Sequence, residues 1–111
     1  MEHTKNSSQL YILEQIQRAF HEGRYIYTHH TVIRTTSRII SRREIEQAIA
    51  CGEIIEDYPN DKYGPTCLIY GRTMVGRPLH IQVSLPPNVK IVTAYEPDPE
   101  EWIDFRIRRE K

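Results

Sequence analysis

At 111 residues the chain has room for one domain and not for two. Its formal net charge of zero and pI near 7.0 argue against a general nucleic-acid coat protein. With no stretch of ~18 consecutive apolar residues, a membrane span is excluded, and the polar run Met1 to Gln9 is unlike the core of a signal peptide.

Residues 1–7 read as a disordered polar start, followed by a single domain over 8–105 and a basic tail over 106–111. Leu10, Leu13, Ile16 and Phe20 recur at helical spacing and Gly23 stands in the C′ position, which predicts a helix over 9–22. Tyr25 to Tyr27 read as a short extended stretch or connector. The stretch His29 to Ser37 carries two readings: its Thr, Val and Ile content favours a strand, while Val32, Ile33 and Thr36 would give a helix one apolar side. Ser41 and Glu44 form a capping box with Ile40 and Ile45 at the staple positions, and Ile45, Ala48 and Ile49 supply the buried stripe of a helix over 42–51, ended by Gly52.

Beyond Gly52 the apolar period changes from helical to extended. Strands are expected over 53–58, 66–72, 79–85 and 89–95, separated by turn chemistry at Pro59-Asn60-Asp61, Gly71 to Gly76 and Pro86-Pro87-Asn88. Such short connections favour an antiparallel meander. After Pro97 and Pro99, residues 100–105 read as one helical turn whose Trp102 and Phe105 cover a sheet edge. The expected fold class is α+β, with two to three N-terminal helices packed on a four-stranded antiparallel sheet.

The neutral total hides blocks of charge. From Arg24 to Arg43 there are five arginines and no acid, and from Glu44 to Asp61 six acids and no base. Four bases and no acid lie between Lys62 and Tyr95, then five acids and no base between Glu96 and Asp104. Blocks of this kind can polarise a surface, although each can also do no more than solvate its own element.

If His29 to Ser37 is helical, His30, Arg34 and Arg38 lie on one stripe, since each step of four turns the azimuth by only ~40°. An imidazole beside two forked guanidiniums suits a phosphodiester: the arginines hold the phosphate while the histidine moves a proton. The plainer alternative is that Arg34 and Arg38 pair with Glu44 and Glu46 while His30 bonds nearby backbone. His80 alternates away from Leu79 and Ile81, so with Gln82 and Ser84 it is expected on an open sheet face able to bind single-stranded RNA, with Tyr95 or Tyr70 stacking. No metal site and no cofactor is expected, because His29 and His30 are adjacent and no His-x-x-x-His or Cys-x-x-Cys spacing occurs. Cys51 and Cys67 are expected reduced and buried, at a helix end and in a strand, with the cytosol as compartment.

The run His30-x-x-x-Arg34-x-x-x-Arg38-x-Ile40-Ser41, with Gly52 to Pro59, Leu68 to Gly71, Gly76 to His80, Thr93 to Asp98 and Trp102, resembles a bacterial family of domains of unknown function over residues 25–105. That family is similar to the RelE- and BrnT-like toxins, small ribonuclease-type domains often encoded beside a zinc-finger antitoxin of the YgiT type. The resemblance implies a cytoplasmic toxin that cleaves RNA without metal, the substrate's 2′-hydroxyl attacking the adjacent phosphate. It implies His30 as acid or base, Arg34 and Arg38 as phosphate binders and His80 as a second proton-transfer group. Tyr95, Gln82 and Arg77 would contact substrate, and the partners would be RNA and an antitoxin protein. The competing reading is a module of the same fold that binds nucleic acid or protein without turnover. Catalysis by the two histidines requires His30 and His80 to face one phosphate. Burial of Arg34 and Arg38 against Glu44, Glu46 or Asp57 would make that surface structural.

Overall fold

A computed structural model describes residues 7–34, 38–62 and 64–110, with backbone only at His29 and His30. Residues 1–6 of the expected polar start, 35–37 of the ambiguous stretch and 111 of the tail lie outside the described residues. Helix α1 spans Ser7–His21 and buries Leu13, Ile16, Ala19 and Phe20. It ends in a Schellman turn: Gly23, at φ 75°, lets its own N–H reach the Phe20 carbonyl and the Arg24 N–H reach that of Ala19. Helix α2, Arg42–Ala50, starts at the expected capping box, with Glu44 N–H on Ser41 Oγ at 3.1 Å and Ser41 N–H on Glu44 Oε1 at 3.0 Å.

Strand β1 spans Ile26–Arg34, so the strand reading of the ambiguous stretch prevails and the helical stripe of His30, Arg34 and Arg38 does not form. The reason is non-local. β5 (Lys90–Tyr95) offers β1 a parallel ladder, and the β-branched residues Thr28, Thr31, Val32 and Ile33 suit extended backbone. The ladder is interrupted between the pairs Tyr27–Ile91 and Val32–Thr93 by a bulge. Thr31 closes this bulge, accepting from the Thr28 N–H at 2.9 Å and donating to the Ile91 carbonyl at 2.6 Å.

Strands β2 (Glu53–Tyr58), β3 (Thr66–Arg72), β4 (Pro78–Ser84) and β5 form the expected antiparallel meander. With β1 the sheet has five strands, not four, in the order β1-β5-β4-β3-β2, and two helices pack on one face. Cys67, Ile69, Leu79, Ile81, Val83, Ile91 and Ala94 meet Ile16, Phe20, Ile45, Ala48 and Ile49 there. Gly71 admits α2 to this contact, since a Cβ on it would lie 1.9 Å from the Ala48 carbonyl oxygen.

The expected helical turn over 100–105 is instead a second small sheet, β6 (Trp102–Ile103) paired with β7 (Ile107–Arg108). Its turn holds Asp104 and Phe105 at φ 53° and 59°, and the Arg106 N–H bonds the Ile103 carbonyl. This hairpin lies over the sheet face opposite the helices rather than along an edge, and it buries Trp102 against His80. Cys67 is buried, which pushes its thiol up to about 12, whereas Cys51 is exposed, contrary to expectation, with Sγ against the Arg72 carbonyl at 3.2 Å. No described helix is long and apolar enough to cross a membrane.

Candidate functional site

Strand register builds a row of side chains across the sheet face that the helices leave uncovered. Arg34, Tyr95, His80, Tyr70 and Glu53 are successive cross-strand partners from β1 to β2. The next row contains Thr93, Gln82, Leu68 and Glu56. The hairpin β6-β7 covers one side of these rows. Arg106 pairs with Glu53 at 2.7 Å and lies 4.8 Å over the Tyr70 ring. Arg108 pairs with Glu56 at 3.0 Å and lies 4.5 Å over Trp102. Tyr58 donates its hydroxyl to Glu56, and although burial alone would raise the Glu56 carboxyl, Arg108 and Tyr58 bring it below the usual range.

What the hairpin leaves open is a cleft of about 550 Å³. Its floor is Leu68, Gln82, Thr93 and Tyr95, and Arg34, Tyr58, Trp102 and Arg108 stand around it with the carboxylates of Asp61, Glu96, Asp98 and Glu101. Arg34 is exposed, its guanidinium 4.1 Å over the Tyr95 ring. Gln82 is fixed by donating to Thr66 Oγ1 at 2.8 Å.

His80 does lie on the face away from Leu79 and Ile81, but it is wholly buried rather than open. Trp102 meets it edge-on at 4.4 Å, Nε2 bonds the Phe105 carbonyl at 2.7 Å and Nδ1 faces the Tyr95 hydroxyl at 3.2 Å. Burial dominates its titration, bringing the imidazole down to about 4 despite that carbonyl and Glu56. Burial likewise raises the Tyr95 phenol against the opposing pull of Arg34 and Arg108.

The structure therefore brings together Arg34, Gln82 and Tyr95 at the cleft, with His80 beside Tyr95 on the neighbouring strand. His30 lies within the β1 bulge, and Arg38 is exposed in the loop before α2, so the three expected partners share no stripe. Arg77 is buried beside the cleft, not open to it. It binds Glu96 and Glu44 and the carbonyls of Ile39 and Arg38. Glu46 accepts from Tyr25 and Asp57 from Gln9, so these acids have other partners than the buried pairing with Arg34 and Arg38 considered from sequence. Sequence reasoning missed Tyr58, Trp102, Arg108 and the cleft carboxylates. The alternation of Glu56 with Tyr58 was a usable signal, whereas nothing local marks where Arg108 folds back. Among the described residues, no three His, Cys, Asp or Glu side chains are grouped to hold a metal ion.

Residues 27–96 match the family described as a domain of unknown function, DUF4258. The chain belongs to the DUF4258 family. No curated protein and no solved structure matches it. The DUF4258 segment contains Arg34, Arg77, His80, Gln82 and Tyr95, while the β6-β7 hairpin lies outside it.

Proposed function

We propose that this DUF4258 domain holds single-stranded RNA in the sheet-face cleft and cleaves it without metal, as the toxin of a toxin–antitoxin pair. The observation that carries the reading is the exposed Arg34 guanidinium stacked on Tyr95 at the cleft. Stacking leaves the forked N–H donors at its rim to bind a phosphate and offset charge developing on it. RNA supplies its own nucleophile: the 2′-oxygen bonds to phosphorus as the 5′-oxygen leaves. The protein therefore needs those donors and a group that takes the 2′-hydroxyl proton and returns one to the departing 5′-oxygen. Neutral, buried His80 is unsuited to that second role, and the exposed Glu101 carboxylate in the cleft lining is the replacement. The resemblance to RelE- and BrnT-like toxins supports the same reaction class, with an antitoxin protein as partner.

The cleft also limits how RNA is held. Four carboxylates line it against two arginines, and Arg108 is already paired with Glu56. Binding through Arg34 alone gives a shallow salt dependence, log affinity falling with log salt at a slope of about 0.7 for one phosphate on a single strand. A second reading, binding without turnover, is favoured by one observation, the burial of His80.

The test is incubation of the protein with single-stranded RNA in excess chelator beside an Arg34→Ala variant. Cleavage that leaves cyclic phosphate ends and is lost in the variant supports the enzyme. Arg34-dependent binding without cleavage selects the second reading, and absence of both binding and cleavage rejects RNA as the ligand.

A further inference from the structure

The three most exposed large apolar side chains among the described residues are Ile39, Met74 and Val75, at 81%, 84% and 82% exposure. They come from distant parts of the sequence, the loop before α2 and the tip of the β3-β4 hairpin, yet one residue bonds both segments. Arg77 joins the two segments. Its guanidinium donates to the Ile39 and Arg38 carbonyls at 3.1 Å each, while its own backbone is paired with Thr73.

The display is held firmly. Gln47 of α2 accepts from the Met74 N–H at 2.9 Å, Gly76 N–H bonds the Thr73 carbonyl, and Arg72 reaches the Gly76 carbonyl at 2.9 Å. These bonds hold the backbone that carries Met74 and Val75, so docking there need order only side chains and not the turn itself. Isolated exposed apolar residues are ordinary on a surface, but three on two segments tied together by one buried arginine are not.

The charges that the two segments themselves carry have one sign. Both contributing segments come from acid-free stretches of the sequence, 24–43 and 62–95, and they bring exposed Arg38, Arg43 and Arg72. The nearby acids Glu44 and Glu96 are both bound to Arg77. We propose that these two segments form a docking surface for an acidic segment of a partner protein, whose apolar side chains seat on Ile39, Met74 and Val75 while its carboxylates meet these arginines. Ile39, Met74 and Val75 do not line the RNA cleft, so the proposal does not depend on the ribonuclease reading.

The probe is a set of short synthetic peptides titrated into the isotope-labelled full chain. One carries Asp and Glu interleaved with Leu, the second Lys in place of the acids, and the third Ser in place of Leu. The acidic, Leu-bearing peptide is expected to bind most tightly, to shift the resonances of residues 38–39 and 72–76, and to weaken with salt. Met74→Ser with Val75→Ser, at positions too exposed to disturb the fold, should reduce its affinity about tenfold, as expected for losing central anchors. Equal binding of the Lys peptide, shifts scattered elsewhere, or no binding overturns the proposal. Concentration-dependent self-association abolished by the same double variant also overturns it, by assigning the surface to a second copy of this chain.

Discussion

The Tyr95 hydroxyl lies 3.2 Å from His80 Nδ1, and Nε2 of the same ring lies 2.7 Å from the carbonyl oxygen of Phe105. A carbonyl can only accept, so Nε2 carries the ring proton and Nδ1 is left as an acceptor. The Tyr95 O–H donates to it. Loss of the phenolic proton to this nitrogen would place an imidazolium among Trp102, Tyr70 and Phe105, which burial opposes. His80 thus orients Tyr95 from the neighbouring strand and ties the C-terminal hairpin to the central strand of the sheet.

The folded protein resists protonation of His80 down to about pH 4, whereas an exposed histidine in the unfolded chain takes its proton near 6.5. Between these values the unfolded state binds a proton that the native state refuses. The stability from this site is therefore complete above pH 6.5 and is lost as pH falls toward 4, by roughly 3 kcal/mol. Urea denaturation at several pH values should show that slope in the native protein. A His80→Gln variant should show it reduced.

Tyr95→Phe keeps the ring beneath Arg34 and removes only the donor to Nδ1. Leaving that buried nitrogen without its partner should lower stability by about 1–2 kcal/mol. The nitrogen spectrum of His80 should retain a protonated Nε2 and report an altered Nδ1. An unchanged Nδ1 resonance would show that the hydroxyl does not donate there.

Arg77→Met should cost about 3 kcal/mol, because the carboxylates of Glu44 and Glu96 and two carbonyls lose their shared cation. Arg77→Lys should recover little, since one ammonium cannot span acceptors set around a planar fork. Thermal unfolding of both variants checks the ordering. RNA binding through Arg34 should survive in any fraction that remains folded.

Gly71→Ala places a methyl carbon where the Ala48 carbonyl oxygen now lies, 1.9 Å away. Both groups are backbone-anchored, so α2 must lift off β3. The loss should exceed about 3 kcal/mol, beyond the usual overpacking cost. Gly23→Ala has open space around its Cβ and carries only the cost of its left-handed backbone, about 1 kcal/mol. Denaturation midpoints of the two variants should differ accordingly.

Local pattern alone determined much of this protein. Ser41, Glu44 and the Ile45-Ala48-Ile49 stripe specify α2 because capping and helical period act within a few residues. The alternation through Leu79, Ile81 and Val83 specifies which side of β4 meets the helices, because successive side chains on a strand must point to opposite faces. Tertiary structure decided the rest. The 29–34 stretch became a strand because β5, some sixty residues away, supplied a parallel ladder, and this dissolved the expected stripe of His30, Arg34 and Arg38. His80 had the face foreseen but not the environment, because whether that face meets water depends on where Trp102 and Phe105 fold back. Arg77 sits buried because Glu44 and Glu96 converge on it from different elements. Faces follow from periodicity, but partners follow from contacts between residues far apart in the chain, and those contacts set which polar groups are left open to bind or react.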